Sequence, residues 1–129
     1  MEVKMEEQGM TDCEVLVMKT IWESTEILSL REVTAQVNRK FNRNWKTQTV
    51  STFLARLVRK GYLTMERKGR QFYYYPTITE DEYGKREIVK CVDFWSGGKI
   101  EALLSAFSEE RKLTEDEKES IRRLLDGRD

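Results

Sequence analysis

Thr47-Gln48-Thr49-Val50-Ser51-Thr52-Phe53-Leu54-Ala55-Arg56-Leu57-Val58-Arg59-Lys60-Gly61 is the stretch that decides the fold. Val50, Phe53, Leu54, Leu57 and Val58 recur at the helical period and predict an amphipathic helix from about Thr47 to Lys60. Gly61 stands where a left-handed C-terminal cap belongs, since glycine takes a positive φ without a Cβ penalty. The opposite side of the helix carries Gln48, Thr52, Ala55, Arg56 and Arg59, with Thr49 and Ser51 on its flanks. An amide, small hydroxyls and basic charge suit the DNA major groove. Glutamine can bond adenine through two atoms, and hydroxyls can bond several base edges. Gln48, Thr49, Ser51 and Thr52 are therefore the candidate base-reading residues, at the end of the helix that recognition helices present to bases. Arg56 and Arg59, further along, suit phosphates, which position a protein without coding for sequence.

Upstream lie two more helices. Thr11-Asp12-Cys13-Glu14 and Ser29-Leu30-Arg31-Glu32 both have the form of a capping box. Val17, Met18, Ile21 and Trp22 form the apolar stripe of the first helix, and Leu30, Val33 and Val37 that of the second, which fades near Phe41. Asn42-Arg43-Asn44 is a polar loop, with Trp45 as its anchor to the core. Downstream, Leu63-Thr64-Met65-Glu66-Arg67 alternates like a strand, Lys68-Gly69-Arg70 is a turn, and Gln71-Phe72-Tyr73-Tyr74-Tyr75 is a second strand ended by Pro76. Three helices followed at once by a hairpin predict a winged helix-turn-helix over residues 11–76, in a mainly α chain with a small β-hairpin wing. Lys46, before the third helix, and Arg67, Lys68 and Arg70, around the wing turn, join Arg56 and Arg59 as candidate phosphate contacts.

From Thr79 the pattern is helical. Thr79-Glu80-Asp81-Glu82 and Thr114-Glu115-Asp116-Glu117 are two further capping boxes. Tyr83, Ile88, Val89 and Val92 lie along one face of the first tail helix, Ile100, Leu103, Leu104 and Phe107 along one face of the next, and Ile121, Leu124 and Leu125 mark the last. Residues 79–129 are too few to bury three amphipathic helices unaided. A homodimer interface built from Val92, Ile100, Leu103, Leu104, Phe107, Ile121, Leu124 and Leu125 is the expected solution. Residues 1–10 show no periodicity and are expected to form a disordered leader.

The formal net charge is zero, yet the segment from Gln36 to Phe72 holds ten basic residues and one acid, Glu66. It carries +9 and the flanks carry −9. Phosphates sense local charge, because distant charge is screened within about 8 Å at physiological salt. There is no histidine, and the two cysteines, Cys13 and Cys91, lie far apart, which leaves no metal-ligand spacing and no disulfide framework. Both cysteines are expected to pack rather than react, and Trp22, Trp45 and Trp95 to lie in the core or an interface. No nucleophile motif or phosphate-cradling glycine loop is present, so an enzyme, a cofactor and a metal are not expected. No apolar run approaches a membrane span, and the N-terminal stretch lacks a signal peptide's apolar core, so a cytoplasmic protein is expected.

Glu14-Val15-Leu16-Val17-Met18-Lys19-Thr20-Ile21-Trp22, Trp45-Lys46-Thr47-Gln48-Thr49-Val50 and Leu57-Val58-Arg59-Lys60-Gly61-Tyr62-Leu63 resemble the penicillinase-repressor family, over about Thr11 to Leu125. The resemblance implies a winged-helix repressor of transcription whose C-terminal helices entwine with those of a second copy. The antibiotic-resistance branch of that family has a lysine and an arginine where Gln48 and Ser51 stand, which implies a different operator sequence. That branch is inactivated by proteolysis before a tail-helix phenylalanine that follows an asparagine. The similar place here is Ala106-Phe107, shifted by one residue, and the implied partner is a sensor-linked protease. The copper branch carries paired C-terminal cysteines, whereas the tail from Leu113 to Asp129 has none. The expectation is a DNA-binding repressor that binds a palindromic operator as a homodimer. The alternative is a winged helix that serves as a protein-interaction module without specific DNA binding.

Overall fold

Thr11, Ser29 and Thr114 each begin a helix in the same way. The side chain accepts a hydrogen bond from the backbone three residues on, and the glutamate there (Glu14, Glu32 or Glu117) accepts one from the cap's own amide. Thr79 and Glu82 make the same reciprocal pair. These local signals set the element boundaries in a computed structural model that describes residues 9–127. Helices α1 (Asp12–Trp22), α2 (Leu30–Phe41) and α3 (Thr47–Arg59) lead into strands β2 (Leu63–Lys68) and β3 (Gln71–Pro76). A two-residue strand, β1 (Leu28–Ser29), pairs with β3 and completes an antiparallel sheet of order β1-β3-β2. This is the winged helix-turn-helix expected from the sequence, with a third strand added.

The core lies where the three helices meet the sheet. Val17, Met18, Val33, Val37, Val50, Leu54 and Leu57 are fully buried there, joined by Leu28, Tyr62, Leu63 and Tyr74. Each fully buried aliphatic side chain contributes about 1.5–3 kcal/mol relative to an exposed one. Trp22 donates from Nε1 to the Ile78 carbonyl at 2.9 Å and Trp45 packs on Phe53, so both tryptophans hold the edges of this core. Cys13 is half-buried beside it, Cys91 is exposed, and Trp95 is exposed with its edge on Phe94.

Tyr83 departs from the sequence expectation. It sits at the start of α4 (Glu80–Phe94), on the stripe read as continuing through Ile88, yet it is buried in the winged helix. Its ring lies between Trp22 and Tyr62, and its hydroxyl accepts from the Met10 amide at 3.0 Å. Lys19 pairs with Glu80 in the same turn. The chain divides into two compact units after Tyr83. In the second unit, α4 continues to Phe94, and a short 3-10 turn (Ser96–Gly98) with Gly97 at a positive φ precedes α5 (Ile100–Glu110) and α6 (Glu115–Leu125). No side chain of α5 or α6 is buried. Of the expected leader, residues 1–8 lie outside the described residues, while Gly9 and Met10 are both held by hydrogen bonds.

One charge lies inside the core. Glu14 is fully buried, and its Oε1 accepts from Lys60 Nζ at 2.6 Å and from the Thr11 amide at 2.9 Å. Lys60 also donates to the Gly9 carbonyl at 3.0 Å, so one ammonium ties the end of α3 to the start of α1. Burial pushes the Glu14 carboxyl up. The hydrogen bonds from Lys60 and Thr11, with the attraction of Lys60 and Arg56, outweigh it and hold the carboxyl below its ordinary value of 4.5. A lowered folded value means that the stabilisation is complete above the unfolded carboxylate range and is lost as pH falls through the folded value. Replacing Lys60 with Met is expected to destabilise the protein by about 3 kcal/mol, because it strands a buried carboxylate. Glu14→Gln is expected to flatten the loss of stability below pH 4.5. Denaturant titrations across that range check both, and a Glu14→Gln curve parallel to that of the parent would remove the pair from the acid response.

Candidate nucleic-acid interface

Burial of Val50, Leu54 and Leu57 fixes the rotation of α3 about its axis. Gln48, Thr49, Thr52, Ala55, Arg56 and Arg59 are all exposed as a result. Ser51 is half-buried, since it lies on the line of Leu54 and Val58, nearer the core than the other candidate base readers. The Thr52 hydroxyl donates to the Gln48 carbonyl at 3.1 Å, which engages its hydrogen and leaves its oxygen able to accept. Arg56 lies one helical turn before Lys60, and its charge helps to hold the Glu14 carboxyl below its ordinary value.

The two ends of α3 are held by different devices. At the start, Asn38 of α2 clamps the loop. Its Nδ2 donates to the Trp45 carbonyl and its Oδ1 accepts from the Trp45 amide, both at 2.9 Å. Asn42 turns the chain there in the left-handed conformation (φ 54°), and the Arg43 guanidinium lies 6.0 Å over the Trp45 ring. Lys46, the residue before α3, is exposed and makes no side-chain cap bond to the helix. At the far end Gly61, at φ 90°, lets its own amide reach the Val58 carbonyl and the Tyr62 amide reach Leu57. This pair of bonds is the Schellman motif, with Leu57 and Tyr62 both in the core. The next residue, Leu63, starts the wing.

The wing register pairs Lys68 with Gln71 and leaves Gly69-Arg70 as a two-residue turn, Gly69 at φ 65°. Alternation along the strands puts Leu63, Met65 and Arg67 with Phe72 and Tyr74 on the face toward the core. Arg67 lies 5.9 Å over the Phe72 ring and donates to the Gly69 carbonyl, which holds the turn. Lys68 points to the other face, 5.8 Å over both Tyr73 and Tyr75. Its hydrogen bond to Tyr75, with the charges nearby, keeps the ammonium above the usual lysine range. Tyr73 and Tyr75 are therefore packed along the wing, with Tyr74 inside.

The basic segment is less free than its +9 suggests. Lys60 serves Glu14, Lys40 pairs with Glu23, and Lys68 lies 3.8 Å from Glu66. Arg39, Lys46, Arg56, Arg59 and Arg70 are exposed and form no ion pair among the described residues. The Lys40 and Lys60 contacts span 17 and 46 residues, which is why spacing along the sequence did not reveal them.

In the tail unit, Val92, Leu103, Leu104 and Ile121 are half-buried, while Ile100, Ala106, Phe107, Leu124 and Leu125 are exposed. Leu104, Phe107, Leu113 and Ile121 line one groove, and Val92, Trp95, Leu103 and Ala106 line another. The Arg111 guanidinium lies 5.1 Å from the centre of the Phe107 ring.

Against this geometry, the family described as "Penicillinase repressor" matches residues 10–127. The penicillinase repressor of Bacillus licheniformis is 28% identical over 116 residues, covering 90% of this chain and 88% of that protein. The methicillin resistance regulatory protein MecI of Mammaliicoccus sciuri is 25% identical over 109 residues, covering 84% of this chain and 86% of that protein. Among solved structures, the DNA-binding domain of the repressor BlaI in solution is 33% identical, with a TM-score of 0.50. It covers 64% of this chain and 94% of that one.

The Asn38 clamp yields a direct check on what positions α3. Asn38→Ala removes both bonds to Trp45 and leaves that residue's amide and carbonyl without their partner. The variant is expected to lose about 1–3 kcal/mol of stability. Hydrogen exchange should quicken at the Trp45 amide before it does at Leu54. Uniform exchange changes along α3 would show that the clamp does not set its start.

Proposed function

The chain belongs to the penicillinase repressor family, and from that premise we propose that it is a transcriptional repressor that grips operator DNA with α3 and the wing, as a homodimer. The observation that carries the reading is the outward face of α3. Its exposed residues are polar, small or basic, none is acidic, and buried neighbours hold the helix in that rotation. In this reading Gln48, Thr49 and Thr52 meet base edges, with Ser51 at the margin. Lys46, Arg56, Arg59, Arg67, Lys68 and Arg70 meet phosphates. No catalytic chemistry is called for, in keeping with a family of repressors.

The tail supports the homodimer. Ile100, Leu124 and Leu125 are each more than half exposed, and no side chain of α5 or α6 is buried within the single chain. A second copy would cover these faces and present two recognition helices to a palindrome. The linked second half-site then binds at high effective concentration, so anything that opens the tail weakens binding more than loss of one contact. Cleavage at Ala106-Phe107 by a sensor-linked protease is one route of release. Both residues are exposed but lie inside α5, so a protease needs local unwinding of that helix. No helix is long and apolar enough to cross a membrane among the described residues.

Gln48→Ala and Thr52→Ala are each expected to cost about 1–3 kcal/mol on operator DNA and much less on random DNA. Equal losses on both DNAs would exclude base reading by these residues. Leu104→Glu places a charge on the apolar stripe and is expected to give a monomer with an intact winged helix and no tight operator binding. Sedimentation and operator titration on one sample provide the measurement, and a tight-binding dimer would refute the interface.

A further inference from the structure

A cleft of about 380 Å³ opens between the first turn of α2, the first residue of α3 and the tip of the wing. Leu30, Arg31, Thr47, Arg70, Gln71 and Phe72 line it. Two of these are arginines from separate elements, Arg31 from α2 and Arg70 from the wing turn, and none is acidic. Both arginines are exposed, and neither forms an ion pair among the described residues. Two unneutralised guanidiniums over one cleft repel each other unless an anion sits between them. Leu30 and Phe72 give the cleft apolar lining, which lowers the local dielectric and strengthens charge pairing made beside it. Thr47 adds a hydroxyl, and the opening turns of α2 and α3 bring their partial positive ends to the same side.

We propose that this cleft seats one phosphodiester of the bound duplex, held jointly by Arg31 and Arg70, and that Arg31 is therefore a DNA contact on α2, outside the recognition helix and the wing. The inference rests on the DNA-binding reading above. Thr47, the first residue of α3 and the one before Gln48, lines the cleft, so a phosphate held there would flank the groove that the start of α3 enters in the DNA-binding reading. The pairing is chemically apt, because a guanidinium can give a phosphate two parallel N–H bonds. Arg31 was not legible as a contact in the sequence. It lies inside a capping box of α2, ahead of the basic segment, and only the return of the wing brings Arg70 to it.

A double-mutant cycle on a mixed-sequence duplex tests the seat, since phosphate contacts need no operator. Arg31→Ala replaces an exposed helical residue with a stronger helix former, so the fold is kept, and circular dichroism verifies this. Arg31→Ala and Arg70→Ala are each expected to weaken binding, and the double variant by less than the product of the two single losses, because both hold one phosphate. The dependence of log affinity on log salt is expected to flatten by about 0.9 in the double variant, the share of one phosphate. If the parent binds but Arg31→Ala binds as tightly, or if the two losses multiply in full, the seat is overturned and the DNA-binding reading stands. If the parent binds no duplex in a salt-dependent manner, the DNA-binding reading fails and the seat with it.

Discussion

The packing of one face of α3 is the constraint on which the rest of the structure depends. Val50, Leu54 and Leu57 have no exposed surface, and they fix which residues point outward. Rotating the helix by one residue would bury Arg56 or Arg59 and expose a leucine. That loses about 1.5–3 kcal/mol of apolar burial and adds the larger cost of an unpaired buried charge. The Schellman cap at Gly61 and the Asn38 clamp on Trp45 then fix the helix along its axis. Because the wing begins at Leu63, two residues past the cap, its position follows from the same geometry.

The electrostatics follow from how α1 treats charge. Glu14 and Glu23, at its two ends, engage Lys60 and Lys40 from the basic segment. The charges that remain unpaired are mostly arginines. Arginine suits that role, since it stays protonated at any working pH and its planar fork matches phosphate geometry. Lys40, Lys60 and Lys68 bind neighbours within the fold, whereas Lys46 and the arginines of α2, α3 and the wing turn are exposed. A formally neutral chain thus keeps exposed cationic residues on α2, α3 and the wing turn without ion pairs among the described residues.

Much of this was legible in the sequence because the signals are local. Capping boxes at Thr11, Ser29 and Thr114, glycine at positions 61 and 69, and the apolar period of α3 act within four residues, and each formed as read. The misses were long-range. A two-residue strand such as β1 has no period to detect, and its pairing with Tyr73 and Tyr74 depends on the fold around it. Tyr83 matches a tail stripe in period, yet Trp22 and Tyr62 draw it into the winged helix. Arg31 looked like an ordinary helix residue until the wing closed beside it. Family membership came from residues shared across nearly the whole chain, which local periodicity alone cannot supply.

Footprinting on the DNA flanking the chain's own gene tests the central claim most directly. A winged-helix repressor working as a homodimer should protect two inverted half-sites one helical turn apart or a multiple of it, about 10 base pairs centre to centre per turn. Protection should fade steeply as salt rises. Protection without sequence preference, or none at low salt, would contradict a repressor that reads its operator through α3.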